Sequence, residues 1–154
     1  METIGLTDII GPVMVGPSSS HTAGALRIAY MARKLAGALP AHVEFRLLGS
    51  FAHTLTGHGT DKALVAGMLG MPTDDTRIAT SFSEARSQGL EFEFVCDPVT
   101  KTDHPNTVDI EARDATGMRV SVRGVSIGGG AAELRQVDGV AVNITGESTS
   151  LIIR

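Results

Sequence analysis

The stretch TVDIEARDATGMRVSV, residues 107–122, is the part of the sequence that predicts the fold most clearly. Apolar and polar residues alternate on both sides of the segment DATG at 114–117, and a period of two is typical of strands that bury one face. The apolar positions are Val108, Ile110, Ala112, Val120 and Val122. Because Asp, Thr and Gly favour turns, the stretch predicts an antiparallel β-hairpin.

The same period recurs elsewhere, at Val43–Leu47, Phe92–Phe94 and Val140–Ile144, and predicts further antiparallel strands. Helical spacing predicts three helices, at Thr22–Leu39, Thr60–Leu69 and Ser81–Gln88. Helices thus dominate the first half of the chain and strands the second. This order predicts an α+β fold, in which helices cover a mixed, largely antiparallel sheet.

Boundary residues refine this prediction. Ser20 or Thr22 is expected to cap the first helix, and Pro40 is expected to end it. The segment Gly49–Gly57 is predicted to be a loop, and Gly89 is expected to stop the third helix.

The length, charge and composition of the chain argue against several classes of protein, beginning with nucleic-acid-binding and membrane proteins. The chain has 154 residues, a formal net charge of -4 and no cluster of Lys or Arg, so a nucleic-acid partner is not expected. There is no run of about eighteen apolar residues and no secretory leader pattern, which predicts a cytoplasmic protein without a membrane span. The length predicts one domain over residues 1–154.

Cys96 is the only cysteine. A single thiol forms no internal disulfide and cannot by itself hold an iron–sulfur cluster or a zinc ion. Because Cys96 follows an apolar strand pattern, it is expected to be a small buried residue. No histidines have the spacing of a helical two-ligand zinc motif, so no metal site is predicted within this chain.

Residues 16–22, GPSSSHT, place hydroxyls, an imidazole and free amides where the first helix is expected to begin. A helix start favours an anion, because its first N–H groups lack partners and the dipole is positive there. The same hydroxyls also serve as simple caps, so ligand binding and capping both stay open. The candidate substrate-binding residues are Ser18, Ser19, Ser20, His21 and Thr22.

Two further histidines lie next to special backbone positions. His58 stands between Gly57 and Gly59 just before the second helix, and an imidazole there has the reference pKa wanted in a general base. His104 precedes Pro105 at the entrance to a strand. Each pattern also fits a histidine without a catalytic role, a solvated or capping residue in the first case and an ordinary turn in the second.

The glycines Gly128, Gly129 and Gly130 follow a predicted strand. Three successive glycines expose backbone amides, which suits an anion-binding nest. They also suit a bulge that bends an antiparallel strand, and the pattern leaves both readings open.

Five segments, in this order, resemble the β chain of two-subunit, iron–sulfur-dependent L-serine dehydratases. They are residues 9–24 (IIGPVMVGPSSSHTAG), Gly49–Ala52, Gly57–Asp61, His104–Thr107 and Ser126–Gly130. Ordered agreement at five places across nearly the whole chain is more specific than any single motif.

The resemblance implies that the protein takes part in converting L-serine to pyruvate and ammonia without pyridoxal phosphate. In this family an α chain holds a 4Fe-4S cluster, whose open iron acts as a Lewis acid on the serine hydroxyl. The resemblance implies that His58 is the base that removes the α-proton and that His104 positions the substrate or acts as a second acid or base. It also implies that the loop Ser18–Thr22 faces the substrate or the α subunit and that Gly128–Gly130 supply backbone donors.

The family's β domain is similar to the allosteric substrate-binding domain of some phosphoglycerate dehydrogenases, which gives the expected fold. This likeness implies an alternative function, a regulatory domain that senses serine or another small carboxylate without chemistry. A structural dimerisation domain is a third reading, so a homodimer is left open. Family β chains commonly continue into an ACT domain, which is not expected within residues 1–154, and the chain is either a naturally short form or a fragment. Thr56 stands where a basic residue is common in the family.

Overall fold

The computed structural model describes residues 13–146 of the chain. The first four residues of the family-like segment 9–24 lie outside the described residues. Within them, one sheet is formed by β1 (His42–Gly49), β2 (Glu91–Asp97), β3 (Asn106–Arg113), β4 (Arg119–Gly128), β5 (Ala131–Val137) and β6 (Val140–Ile144). All the predicted strands are therefore confirmed, and β5 is an additional one.

The strands lie in the order β2-β1-β3-β4-β5-β6. The predicted hairpin is β3–β4, which closes through the hydrogen bond from Asp114 N–H to Met118 O at 2.9 Å. Strand β2 was predicted to be antiparallel, and this is wrong because it pairs in parallel with β1. The chain between these two strands is long enough to cross back over the sheet, which parallel pairing requires.

The helices are α1 (Ala25–Ala36), α2 (Ser50–Thr54), α3 (Thr60–Met68) and α4 (Ser81–Ser87), with a π-helical turn at Ser19–Gly24 and a 3-10 helix at Thr76–Thr80. All three predicted helices exist, and Gly89 follows the last of them with a φ of 76°, as a helix stop requires.

Three boundary predictions are wrong. Ser18, and not Ser20 or Thr22, caps the π-helical turn that precedes the first helix, and its hydroxyl accepts the His21 N–H. The N-cap of α1 itself is Gly24, which makes no side-chain cap hydrogen bond. Helix α1 ends at Ala36, because Gly37 turns the chain with a φ of 74° before Pro40 is reached. The predicted loop Gly49–Gly57 contains helix α2.

All the helices pack on one face of the sheet. Inward-facing residues of neighbouring strands, such as Phe45, Ile110 and Val122, share one buried core with α1, α3 and α4. The opposite face carries charged residues, including the ion pairs of Arg46 with Asp97 and of Arg123 with Asp109. The fold is thus the predicted α+β class, with a mixed and largely antiparallel sheet.

Helix α1 lies close to the sheet at Gly124, where an added Cβ would stand 2.2 Å from a side-chain carbon of Ile28. Cys96 is exposed near the end of the edge strand β2, so the prediction that it is buried is wrong. An edge strand has a neighbouring strand on one side only, and every residue of β2 is exposed or half-buried. Within residues 13–146, no helix is long and apolar enough to cross a bilayer.

Candidate active site

The strand register brings distant motifs to one end of the sheet. Gly49, the last residue of β1, pairs with Asn106, the first residue of β3, while Thr107 pairs with Val125 near the end of β4. The segments after β1, before β3 and after β4 therefore meet at the same end of the sheet. Gly24 joins them there, because its Cα faces the side chain of Ser126.

The π-helical turn is tied to the loop that carries His58. The Thr22 hydroxyl is buried and donates to the carbonyl oxygen of His58 at 2.9 Å, although the two residues are 36 positions apart. Within the turn, the Thr22 N–H donates to Ser18 O at 2.9 Å. Single π-helical turns occur frequently at functional sites.

His21 is held at both ring nitrogens. Its Nδ1 lies 3.1 Å from the hydroxyl of Ser20 and 3.4 Å from that of Ser18, and its Nε2 lies 3.0 Å from the hydroxyl of Ser50. Burial of the ring, and secondarily the nearby His58, lowers the pKa of His21 below its ordinary value of 6.5. Its surroundings therefore favour the neutral form of the ring.

His58 packs against this ring. The two imidazole centroids are 5.0 Å apart in an edge-to-face arrangement, and Phe51 contacts His21 from another direction at 5.6 Å. His58 itself is exposed, and Gly59 gives the following backbone a φ of 69°. We call Ser18, Ser20, His21, Ser50 and His58 the serine–histidine cluster.

His104 approaches the same end of the sheet from β3. Its Nδ1 accepts the N–H of Asn106 at 3.2 Å, so a neutral His104 ring carries its proton on Nε2. Its neighbour Pro105 accepts the N–H of Ser50 at 2.6 Å, which joins this segment to the serine–histidine cluster. Within residues 13–146, no hydrogen bond links the His104 ring to His21 or His58.

The three glycines at the end of β4 form the hairpin turn to β5. Gly128, Gly129 and Gly130 have φ values of 103°, 58° and 82°, and the β4–β5 register shifts between Ser126 and Gly128. The structure thus has the irregular pairing of a bulge at this point. The Gly130 carbonyl accepts from Arg27 Nη1 at 3.0 Å, and among the described residues no hydrogen bond joins these glycines to the serine–histidine cluster.

Sequence reasoning therefore named most of the cluster but assigned no role to Ser50. The signal was present, since Gly49–Ser50 opens one of the five segments that carry the family resemblance. Ser19 lies half-buried at the start of the π-helical turn, next to these residues. The functional roles of all the candidate residues stay predictions: Ser18, Ser19, Ser20, His21, Thr22, His58, His104 and Gly128–Gly130.

The donor atoms of this site do not suit an iron–sulfur cluster. Residues 13–146 contain no group of three or more His, Cys, Asp or Glu side chains placed to hold a metal ion. Cys96, the one cysteine of the chain, lies on the edge strand β2. Both nitrogens of His21 already have hydroxyl partners.

The fold and the site together define a class: an α+β domain that presents hydroxyl groups and imidazoles at one end of a mixed sheet. Residues 6–136 match the family described as Serine dehydratase beta chain. The chain belongs to this family, which confirms the resemblance seen in its five segments.

Curated relatives agree with this assignment. The chain is 46% identical over 146 residues to the L-serine dehydratase, beta chain, of Peptoniphilus asaccharolyticus, covering 95% of this chain and 66% of the relative. It is 42% identical over 153 residues to the probable L-serine dehydratase, beta chain, of Bacillus subtilis, covering 99% and 69%. It is 34% identical over 139 residues to the L-serine dehydratase of Streptomyces coelicolor, covering 75% and 30%. The chain thus spans about two thirds of the length of the two β chains.

Proposed function

We propose that this chain is the β subunit of an L-serine ammonia-lyase and that it acts together with an α subunit that holds a 4Fe-4S cluster. The observation that carries the proposal is the serine–histidine cluster, in which three of the five family segments meet at one end of the sheet. Its exposed His58 is open to a ligand and to a second protein. The names of the relatives support L-serine as the substrate.

The reaction removes water from L-serine to give aminoacrylate, which tautomerises to an imine and then takes up water to give pyruvate and ammonia. A general base must accept the α-proton in the first step. His58 is suited to this task, since its ring is exposed and stands between two glycines that let a ligand approach. The residues of this chain do not fit the cluster, so the proposal assigns to them only binding and proton transfer.

The π-helical turn is proposed to bind the substrate carboxylate. Ser19 and Ser20 lie half-buried at the start of the π-helical turn that leads into α1, where hydroxyls and backbone amides favour an anion. Because Ser18 caps the turn and Thr22 holds the His58 carbonyl, these two residues would shape the site instead of contacting the ligand. Gly128–Gly130 are proposed to add backbone donors at the same end of the sheet.

His104 is proposed to position the substrate or to act as a second acid or base. With Nδ1 occupied by the Asn106 N–H, a neutral His104 ring offers its Nε2–H as a donor. That donor suits a carboxylate or hydroxyl oxygen of the substrate.

Anaerobic reconstitution tests the proposal. The chain and a cluster-bearing α chain are prepared separately and mixed, and pyruvate formed from L-serine is measured. We expect no turnover from either chain alone and clear turnover from the mixture. Turnover by this chain alone, or a mixture that binds but stays inactive with L-serine, would disprove the proposed function.

A serine-sensing domain is the alternative, and one observation favours it. Both nitrogens of His21 have hydroxyl partners, an arrangement that suits binding more than proton transfer. Calorimetry of the chain without a partner separates the two functions. Tight binding of L-serine to the isolated chain would favour the sensor, whereas binding only in the presence of the α chain would favour the enzyme.

A further inference from the structure

Ser50 is a residue of the serine–histidine cluster that has no role in the function proposed above. Its hydroxyl lies 3.0 Å from His21 Nε2, on the opposite side of the ring from the Ser20 hydroxyl at 3.1 Å from Nδ1. The ring is therefore held between two hydroxyls that come from different segments of the chain.

The backbone around Ser50 is fixed by three contacts. Its N–H donates to Pro105 O at 2.6 Å, and its carbonyl accepts the Thr54 hydroxyl at 2.8 Å. Gly49 has a φ of 55°, and a Cβ there would stand 2.5 Å from Pro105 O. Since only glycine fits this close approach, the end of β1 and the entrance of β3 together set the position of the Ser50 hydroxyl.

We infer that Ser50 is a positioning residue, whose hydroxyl fixes the orientation of the His21 ring, contributes to the balance of its tautomers as the partner of Nε2, and thereby fixes the surface against which His58 packs. A neutral imidazole donates from one nitrogen and accepts at the other, while a hydroxyl does either. Ser20 and Ser50 together thus satisfy both nitrogens. Without the Ser50 hydroxyl, Nε2 loses its partner, and the ring is held only through Nδ1 and through its packing against Phe51 and His58.

Nuclear magnetic resonance of the full chain tests the structural half of this inference. In Ser50→Ala we expect the ¹⁵N resonances of His21 Nδ1 and Nε2 to shift in opposite directions, the signature of a changed tautomer ratio. Ser50→Thr keeps a hydroxyl and should restore the wild-type values. Unchanged His21 nitrogen shifts in Ser50→Ala would overturn the inference, and this result does not depend on any enzymatic activity.

Thr54→Ala is the matched control. It removes the hydrogen bond to the Ser50 carbonyl and so weakens α2, but it leaves the Ser50 hydroxyl in place. We expect His21 nitrogen shifts close to wild type in this variant. Equal changes in Thr54→Ala and Ser50→Ala would mean that the effect comes from the stability of α2, which would also overturn the inference.

The catalytic half rests on the proposed function. In the reconstituted complex, we expect Ser50→Ala to lower kcat by about tenfold to a hundredfold with little change in KM, because the base is misplaced while substrate contacts remain. Ser50→Thr should recover most of the kcat. Full kcat in Ser50→Ala would overturn the positioning role. If the wild-type complex makes no pyruvate, the proposed function fails, while the resonance measurements still decide whether Ser50 holds His21.

Discussion

The two imidazoles of the serine–histidine cluster are in contact, yet their surroundings differ. His21 is half-buried and has a hydroxyl partner at each nitrogen. His58 is exposed, and the hydrogen bond that fixes its position is made by its backbone carbonyl with Thr22. One ring is part of a hydrogen-bonded framework, whereas the other is oriented mainly by packing.

The backbone that carries each ring differs in the same way. An added Cβ at Gly24, in the π-helical turn that holds His21, would stand 2.0 Å from the Ser126 hydroxyl. An added Cβ at Gly57, beside His58, would meet nothing within 4 Å. The domain thus places its candidate base on an open loop and supports it with a tightly packed turn, an arrangement that suits the proposed transfer of a proton from a ligand.

The largest expected effect is a difference in catalytic activity between variants of His58 and variants of His21. His58→Ala in the reconstituted complex should lower kcat by about 10² to 10⁴, the usual contribution of a general base, without loss of fold. His21→Asn should lower it less, because His21 acts through His58. Pyruvate formation under anaerobic conditions measures both.

His53→Ala is the control for this first prediction. His53 is an exposed imidazole on the neighbouring helix α2, and it should be replaceable without loss of turnover. If His21→Asn cost more activity than His58→Ala, the roles given to the two rings would have to be exchanged.

The second expected effect is a difference in stability between substitutions at Gly24, in the packed turn, and at Gly57, in the open loop. Gly24→Ala should lower the free energy of unfolding by about 1–3 kcal/mol, since the new methyl group has no room against Ser126. Gly57→Ala should change it by less than about 0.5 kcal/mol, as expected of an open surface position. Urea unfolding of the full chain measures both values.

A double variant tests whether the contact with Ser126 causes the loss of stability in Gly24→Ala. Gly24→Ala combined with Ser126→Gly removes both atoms that crowd the new methyl group, so the two substitutions should cost less together than the sum of their separate effects. Simple additivity would show that the lost stability comes from somewhere other than this contact.

The sheet was largely predictable from the sequence. A period of two is a local property, so it revealed the strands around Phe45, Phe94 and Ile110 without knowledge of their partners. The turn composition at 114–117 also fixed the β3–β4 pairing. The direction of β2 was not predicted correctly. Whether a strand pairs in parallel depends on the path of the chain between the two strands, and a local period of two contains no information about that path.

The site was predictable only in part. Motif residues such as His21 and His58 stood out by type, but the hydrogen bond between His21 and Ser50 joins positions 29 apart. Neither sequence segment indicates that these two residues come into contact. The cap was misplaced for a related reason, because three successive serines are equally good caps and only the geometry of the π-helical turn selects Ser18.

The smallest expected effect concerns the pH dependence of stability. Folding lowers the pKa of His21 from 6.5, first through burial and then through His58, so the unfolded chain binds more protons than the folded chain once the pH falls toward 6.5. The free energy of unfolding should therefore decrease as the pH falls from about 6.5 to the lowered pKa. Below that pKa, His21 should cause no further decrease in the free energy of unfolding. His21→Asn cannot titrate, and the difference in stability between wild type and this variant should shrink over that range. Urea unfolding at about pH 8 and about pH 5 measures it, and a constant difference would show that the His21 ring is not held neutral by its surroundings.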